Sequence, residues 1–190
     1  MTASQSLRKL ICGNMRYVTE RYAYVDIGRD RRRELAEGQY PFAAILGCSD
    51  SRVPPEIVFD QGIGDLFVVR TAGQTVDRMA LGSIEYAVEH LGVRLIVVLG
   101  HQDCGAVQAA VANDPQPGQI AAVVKAIQPA VQVAKTQYGN LMSNAIIDNI
   151  YLSMDKLAAS PILQRAVATA GLKIVGALYC IKNGKVAFLC

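Results

Sequence analysis

Three short stretches of this chain carry no charged or polar side chain: Phe42–Gly47, Leu66–Val69 and Leu95–Leu99. A strand with one wet face alternates apolar and polar residues, whereas a strand covered on both faces, as in a parallel sheet, reads as a continuous apolar run. Between and after these stretches the apolar positions change to helical spacing. Met79 to Leu91 carries Leu81, Ile84, Val88 and Leu91 on one face and is closed by Gly92. Pro54-Pro55 opens a short helix through Phe59, since proline suits a first helical turn. Further helical patterns cover 105–112, 119–137 and 141–159, and Pro161 starts another short one. Lys173–Ile181 returns to strand, and Asn183-Gly184 reads as a two-residue hairpin turn into Val186–Leu189.

Upstream of the first strand, residues 4–25 form an amphipathic helical pattern through Leu7, Leu10, Ile11, Tyr17, Val18 and Tyr22. Arg31–Glu37 reads as a short helix stopped by Gly38. Residues 1–38 precede every core element and are expected to form a helical arm that packs on a partner subunit. Strands alternating with helices predict an α/β fold: a mostly parallel central sheet flanked by helices, with an antiparallel strand added by the C-terminal hairpin. No repeat or linker interrupts residues 1–190, so one domain is expected.

Composition narrows the class. The chain has 190 residues, 52% hydrophobic and 18% charged, which is globular and long enough for a substantial core. A net charge of +3 gives no reason to expect a polyanion, and the basic run Arg29–Arg33 is broken by Asp30 and followed by Glu34, as in a solvated helix start. No nucleic-acid partner is expected. No apolar run approaches the roughly 18 residues of a membrane span, and Met1–Gln5 lacks a secretory pattern. The expectation is a soluble, cytoplasmic protein. Five cysteines are an odd count that favours metal or core roles over a disulfide framework.

The candidate chemistry sits at two strand ends. Cys48-Ser49-Asp50-Ser51-Arg52 directly follows the first apolar run, and His101-Gln102-Asp103-Cys104 follows the third. If the strand order reverses between those two strands, both segments flank the crevice where open α/β sheets bind ligands. Two thiolates and one imidazole with a fourth position left open form a competent catalytic zinc set. Taken singly, each signal is weak, because a buried cysteine fills a core and H-x-x-C recurs by chance. A carboxylate two residues from a ligand can accept a hydrogen bond from a zinc-bound hydroxide, and Arg52 can hold Asp50 ionised and oriented. Released by Arg52, Asp50 could instead fill the fourth zinc position. An isolated D-x-R is otherwise a loop ion pair. Two rival readings remain: a structural zinc module, which normally has four ligands, and a redox thiol pair, for which no C-x-x-C is present. Cys12, Cys180 and Cys190 have no partner at useful spacing and read as core or surface thiols.

Cys48-Ser-Asp-Ser-Arg-Val-Pro-Pro-Glu56 with Gly100-His-Gln-Asp-Cys-Gly-Ala106 resembles the β-class carbonic anhydrases. The likeness extends through Phe67-Val-Val-Arg-Thr-Ala-Gly73 and Gly82-Ser-Ile-Glu-Tyr86, and more weakly to both ends. It implies reversible hydration of carbon dioxide to bicarbonate, one zinc ion per subunit on Cys48, His101 and Cys104, and a catalytic dyad of Asp50 and Arg52. It further implies Gln39 as an amide donor to substrate, Phe67, Ala72 and Tyr86 at pocket positions, and Gly105 beside the metal. Ala72 is smaller than the valine often found there. The family forms dimers or larger homo-oligomers with pockets built across the interface. Some bacterial members have an inhibitory bicarbonate site using a tryptophan three residues before the first cysteine, an arginine and a tyrosine. Arg70 and Tyr86 match that description, but the tryptophan position is Ile45. The open type is therefore expected, with water or hydroxide rather than Asp50 on zinc. The same site suits carbonyl sulfide or carbon disulfide, which are also linear. His90 reads as a helix-end residue, and no proton carrier is assigned.

Overall fold

The structure is a computed structural model that describes residues 1–23 and 27–189. Its centre is a five-stranded sheet in the order β2-β1-β3-β4-β5. The strands are β1 (Ala43–Cys48), β2 (Leu66–Thr71), β3 (Leu95–His101), β4 (Lys173–Tyr179) and β5 (Val186–Leu189). The first four run parallel and β5 pairs antiparallel with β4. β1 lies between β2 and β3, so the chain turns one way from β1 to β2 and the other way to β3. The expected reversal is present, and it brings the carboxyl ends of β1 and β3 side by side.

Continuous burial explains the lack of alternation, since every residue of β1 and β3 is buried. Ala44, Leu46, Ile96 and Val98 face one side, packed under helices α4 (Arg78–Glu89), α7 (Leu141–Ala158) and α8 (Pro161–Ala170). Ala43, Ile45, Leu95, Val97 and Leu99 face the other, with Phe59 and Leu10. A third cluster joins Cys48 and Cys104 to α5 (Gly105–Ala112) and α6 (Ile120–Ala134), with Ala145 and Ile146 of α7.

The seating of α7 depends on two glycines. A Cβ on Gly100 of β3 would lie 2.6 Å from Ile150 Cγ1, and one on Gly176 of β4 would lie 2.8 Å from Ile150 Cγ2. Without side chains at these points the sheet has a trough, and Ile150, fully buried, lies in it. That close approach fixes the depth of α7 against the strand ends.

Helix α1 (Ala3–Val18), the start of the expected arm, packs one face on the core of its own chain. Leu10 is fully buried within this chain, Ser6 Oγ donates to Phe42 O at 2.8 Å, and Asn14 Nδ2 donates to Val58 O and Gly184 O. Ile11 and Met15, on its outer face, remain exposed. The helix ends at Val18, with Thr19 as its cap, earlier than the apolar pattern through Tyr22 suggests; the end of that pattern, at 24–25, lies outside the described residues. The remaining short helices are α2 (Arg29–Ala36) and α3 (Pro55–Val58). The C-terminal hairpin also differs from the two-residue turn expected. Its last ladder pair is Tyr179–Val186, and Gly184 N donates to Cys180 O, so four residues, Ile181–Gly184, form the loop inside the Cys180–Lys185 pair. Asn183 Oδ1 accepts from Lys185 N, and Gly184 takes the left-handed φ of 73°.

Candidate metal centre

The two segments at the ends of β1 and β3 converge. The ligand atoms of Cys48, His101 and Cys104 all lie within 4.8 Å of one another, and all three residues are buried. Strand geometry accounts for two of them: Cys48 ends β1 and His101 ends β3, with the strands in register at Gly47 and Leu99, one residue before Cys48 and two before His101. Cys104 follows after a turn in which Asp103 takes a left-handed φ of 54°, and it caps the start of α5.

The donor set fits a soft divalent cation. His101 Nδ1 lies 2.8 Å from Gln102 O, which makes it the protonated nitrogen and leaves Nε2 as the lone-pair donor. That Nε2 is buried and has no hydrogen-bond partner. A buried polar atom without a partner is costly, and coordination removes that cost. The sulfurs are prepared as well. Cys48 Sγ lies 4.0 Å from Cys104 Sγ and accepts from Gly73 N at 3.3 Å. Its thiol is held well below the ordinary range by the hydrogen bond from Cys104; burial opposes this, while His101 and the Asp50 and Gly73 N–H groups assist. Cys104 is pushed up because it donates to Cys48, because it is buried, and because it faces the Cys48 charge, although the Val107 and Ala106 N–H groups of the first α5 turn favour its thiolate. His101 is held above its ordinary value: burial works against the imidazolium, but the negative charges of Cys48 and Asp50 and the Gln102 carbonyl outweigh it.

Asp50 borders this cluster, its Oδ2 lying 3.9 Å from His101 Nε2. Arg52 grips the carboxylate with both arms of its fork, Nε to Oδ1 at 2.9 Å and Nη2 to Oδ2 at 2.7 Å, and its backbone N also donates to Oδ1. Those bonds hold the Asp50 carboxyl well below the usual carboxylate range. Arg70, on β2, donates from Nε to Cys48 O at 2.9 Å and from Nη2 to Asp50 O at 2.6 Å, fixing the backbone on either side of Ser49.

Residues 43–186 match the family model described as carbonic anhydrase. Over 181 residues the chain is 42% identical to "Carbonic anhydrase 2" of Mycobacterium tuberculosis, a match covering 91% of this chain and 86% of that one. The chain belongs to the β-carbonic anhydrases. A carbonic anhydrase of Mycolicibacterium smegmatis is 37% identical over 179 residues, covering 92% and 87% of the two chains. Among solved structures, a tetrameric β-carbonic anhydrase of Sordaria macrospora superposes with a TM-score of 0.75 at 27% identity, covering 83% of this chain and 85% of that one.

The remaining residues that the β-carbonic anhydrase motifs single out separate into two groups. Ala72 and Gly105 lie with the cluster, Ala72 beginning the short 3-10 turn that touches Cys48 and Gly105 beginning α5 next to Cys104. Gln39, Phe67 and Tyr86 do not. Gln39 is exposed and precedes β1, at the strand end away from Cys48. Phe67 pairs with Ala44, four residues and hence about 13 Å short of Cys48 along the strand. Tyr86 packs on Phe67 with ring centroids 6.4 Å apart, and both line a shallow groove of about 330 Å³ with Arg78 and Met79. Of the residues compared with the anion site, Arg70 is tied to the carbonyls of Cys48 and Asp50, while Tyr86 sits in the Phe67 groove. Ile45 is fully buried in the opposite sheet face. Sequence reasoning missed the positioning role of Arg70; its sole signal, a charged residue closing an otherwise apolar strand, does not reveal which carbonyls it will meet. Among the described residues no helix is long and apolar enough to cross a membrane.

Proposed function

We propose that this carbonic anhydrase binds one zinc ion through Cys48 Sγ, His101 Nε2 and Cys104 Sγ and hydrates carbon dioxide to bicarbonate with Asp50 and Arg52 as its dyad. The carrying observation is the buried, unpartnered His101 Nε2 grouped with two sulfurs, with an ionised carboxylate alongside. When bound, zinc supplies the Lewis acidity that makes water a nucleophile near neutral pH.

The protein's own groups account for the rest. Asp50, kept ionised by Arg52, accepts the hydrogen of the attacking oxygen and so directs a lone pair toward the carbon of CO2. Because the fork of Arg52 occupies both carboxylate oxygens, Asp50 is restrained from turning into the cluster, which supports the open type. Arg70 keeps Cys48 and Asp50 at a fixed spacing through their carbonyls. Gln39, Phe67 and Tyr86 cannot wall the cluster of their own chain, so they serve as amide donor and apolar wall only in the site of a partner subunit. A homo-oligomer follows, and the tetrameric Sordaria relative agrees with it.

Stopped-flow CO2 hydration tests this reading on three preparations: metal-stripped protein, protein reloaded with zinc, and zinc-loaded Asp50→Asn. Activity that returns with zinc and is lost in Asp50→Asn, with metal retained, is expected. Equal turnover in all three would overturn it.

A further inference from the structure

The Cys48 sulfur takes a hydrogen bond from a remote turn, and that turn is held by α7. Residues Ala72–Gln74 form the 3-10 turn after β2, and Gly73 N donates to Cys48 Sγ at 3.3 Å. The turn does not hold this shape unaided. Gly73 has φ 64° and Gln74 has φ 43°, two successive left-handed residues of which the second is not glycine. Such a backbone persists only where its surroundings over-determine it.

The surroundings are two side chains one helical turn apart on α7. Asn149 Nδ2 donates to Gly73 O at 2.8 Å, and Ser153 Oγ donates to Gln74 O at 3.1 Å. Asn149 is 1% exposed and Ser153 2% exposed. The opposite side of the turn is closed by packing: a Cβ on Gly73 would lie 2.7 Å from Ile127 Cδ1 and 3.1 Å from Ala106 Cβ. Ile150, between the two polar side chains in sequence, is the residue seated in the Gly100 and Gly176 trough. The position of α7 is therefore translated into the position of one N–H group.

We propose that Asn149 and Ser153 are positioning residues for the metal centre, acting through Gly73 to hold a backbone N–H on the Cys48 sulfur. This rests on Cys48 being a metal ligand, as argued above. A hydrogen bond to a coordinating sulfur draws charge from it, so the sulfur donates less to the metal and the metal stays more acidic. Cys104 obtains the same support locally, from the N–H groups of Ala106 and Val107 in its own helix. Cys48 ends a strand and has one local N–H, that of Asp50, and the α7 clamp supplies the second through Gly73.

The test replaces zinc with cobalt(II) and reads the thiolate-to-cobalt charge-transfer absorption of the full chain, Ser153→Ala and Asn149→Leu. Ser153→Ala removes one hydroxyl and preserves packing; Asn149→Leu keeps the side-chain size and removes the donor. The absorption is expected to move to longer wavelength in both, further in Asn149→Leu, because a sulfur freed of its hydrogen bond gives up charge more readily. CO2 hydration by zinc-loaded Asn149→Leu is expected to fall roughly tenfold at neutral pH. Absence of the absorption in the unaltered protein would contradict the ligand assignment itself. Its presence at one wavelength in all three proteins would leave the ligands standing and overturn the role of Asn149 and Ser153.

Discussion

Arg52 holds Asp50 by both carboxylate oxygens, at 2.9 and 2.7 Å, although Arg52 itself is half exposed. An exposed ion pair of this kind contributes little to folding, so its value lies in fixing the direction of one carboxylate beside three side chains that could hold a metal. Asp50→Asn should therefore separate folding from turnover. The variant is expected to keep its zinc content and its cooperative fold while CO2 hydration falls by about 10² to 10⁴-fold, the range for a positioned acid–base group. Metal analysis, denaturation and stopped-flow rates on one preparation check it.

The depressed ionisation of Asp50 has a consequence for pH. Its folded value lies below the ordinary 3.8, chiefly through the Arg52 hydrogen bonds. A carboxylate with a lowered folded value adds stability that is fully present above the unfolded value and disappears as pH falls through the folded one. The stability difference between metal-free protein and metal-free Asp50→Asn should thus be level above about pH 5 and shrink in stronger acid. Urea midpoints of both proteins across that range show whether it does.

Arg70 is the residue whose role depends most on three-dimensional placement. Arg70→Ala removes both donors that join Cys48 O to Asp50 O. Zinc affinity, measured by competition with a chelator, is expected to fall about tenfold or more, as for loss of other outer partners of metal ligands.

Helix α1 belongs to the core of its own chain. A Cβ on Gly13 would lie 1.9 Å from Phe59 O, a backbone atom that cannot swing aside. Gly13→Ala is expected to destabilise the chain by about 1–3 kcal/mol, and Leu10→Ala by about 2–5 kcal/mol. Denaturant titration of each variant measures both.

Much of the geometry of the candidate centre was legible in the sequence because two of its three candidate ligands, Cys48 and His101, end strands. Continuous apolar runs mark β1 and β3 as doubly covered, and Cys48 and His101 fall where those runs stop. Side chains that act on the backbone were not legible. Asn149 and Ser153 stand at helical spacing beside Ile150 and look like polar interruptions in an amphipathic face; only the glycine trough shows which carbonyls they reach. Likewise Leu10 and Ile11 look equivalent in the α1 pattern, yet one is buried in this chain and the other is exposed. The hairpin loop lengthened because the Cys180–Lys185 pair closes outside Asn183-Gly184, a choice that the dipeptide alone does not determine.

X-ray absorption at the zinc edge of the purified, active protein tests the central assignment most directly. Two sulfur neighbours at about 2.3 Å and one imidazole nitrogen near 2.0 Å, with one further light atom, are predicted. Loss of one sulfur in Cys48→Ser and of the other in Cys104→Ser completes the expected pattern. A zinc ion surrounded by light atoms alone, or an active protein without stoichiometric metal, would contradict the account.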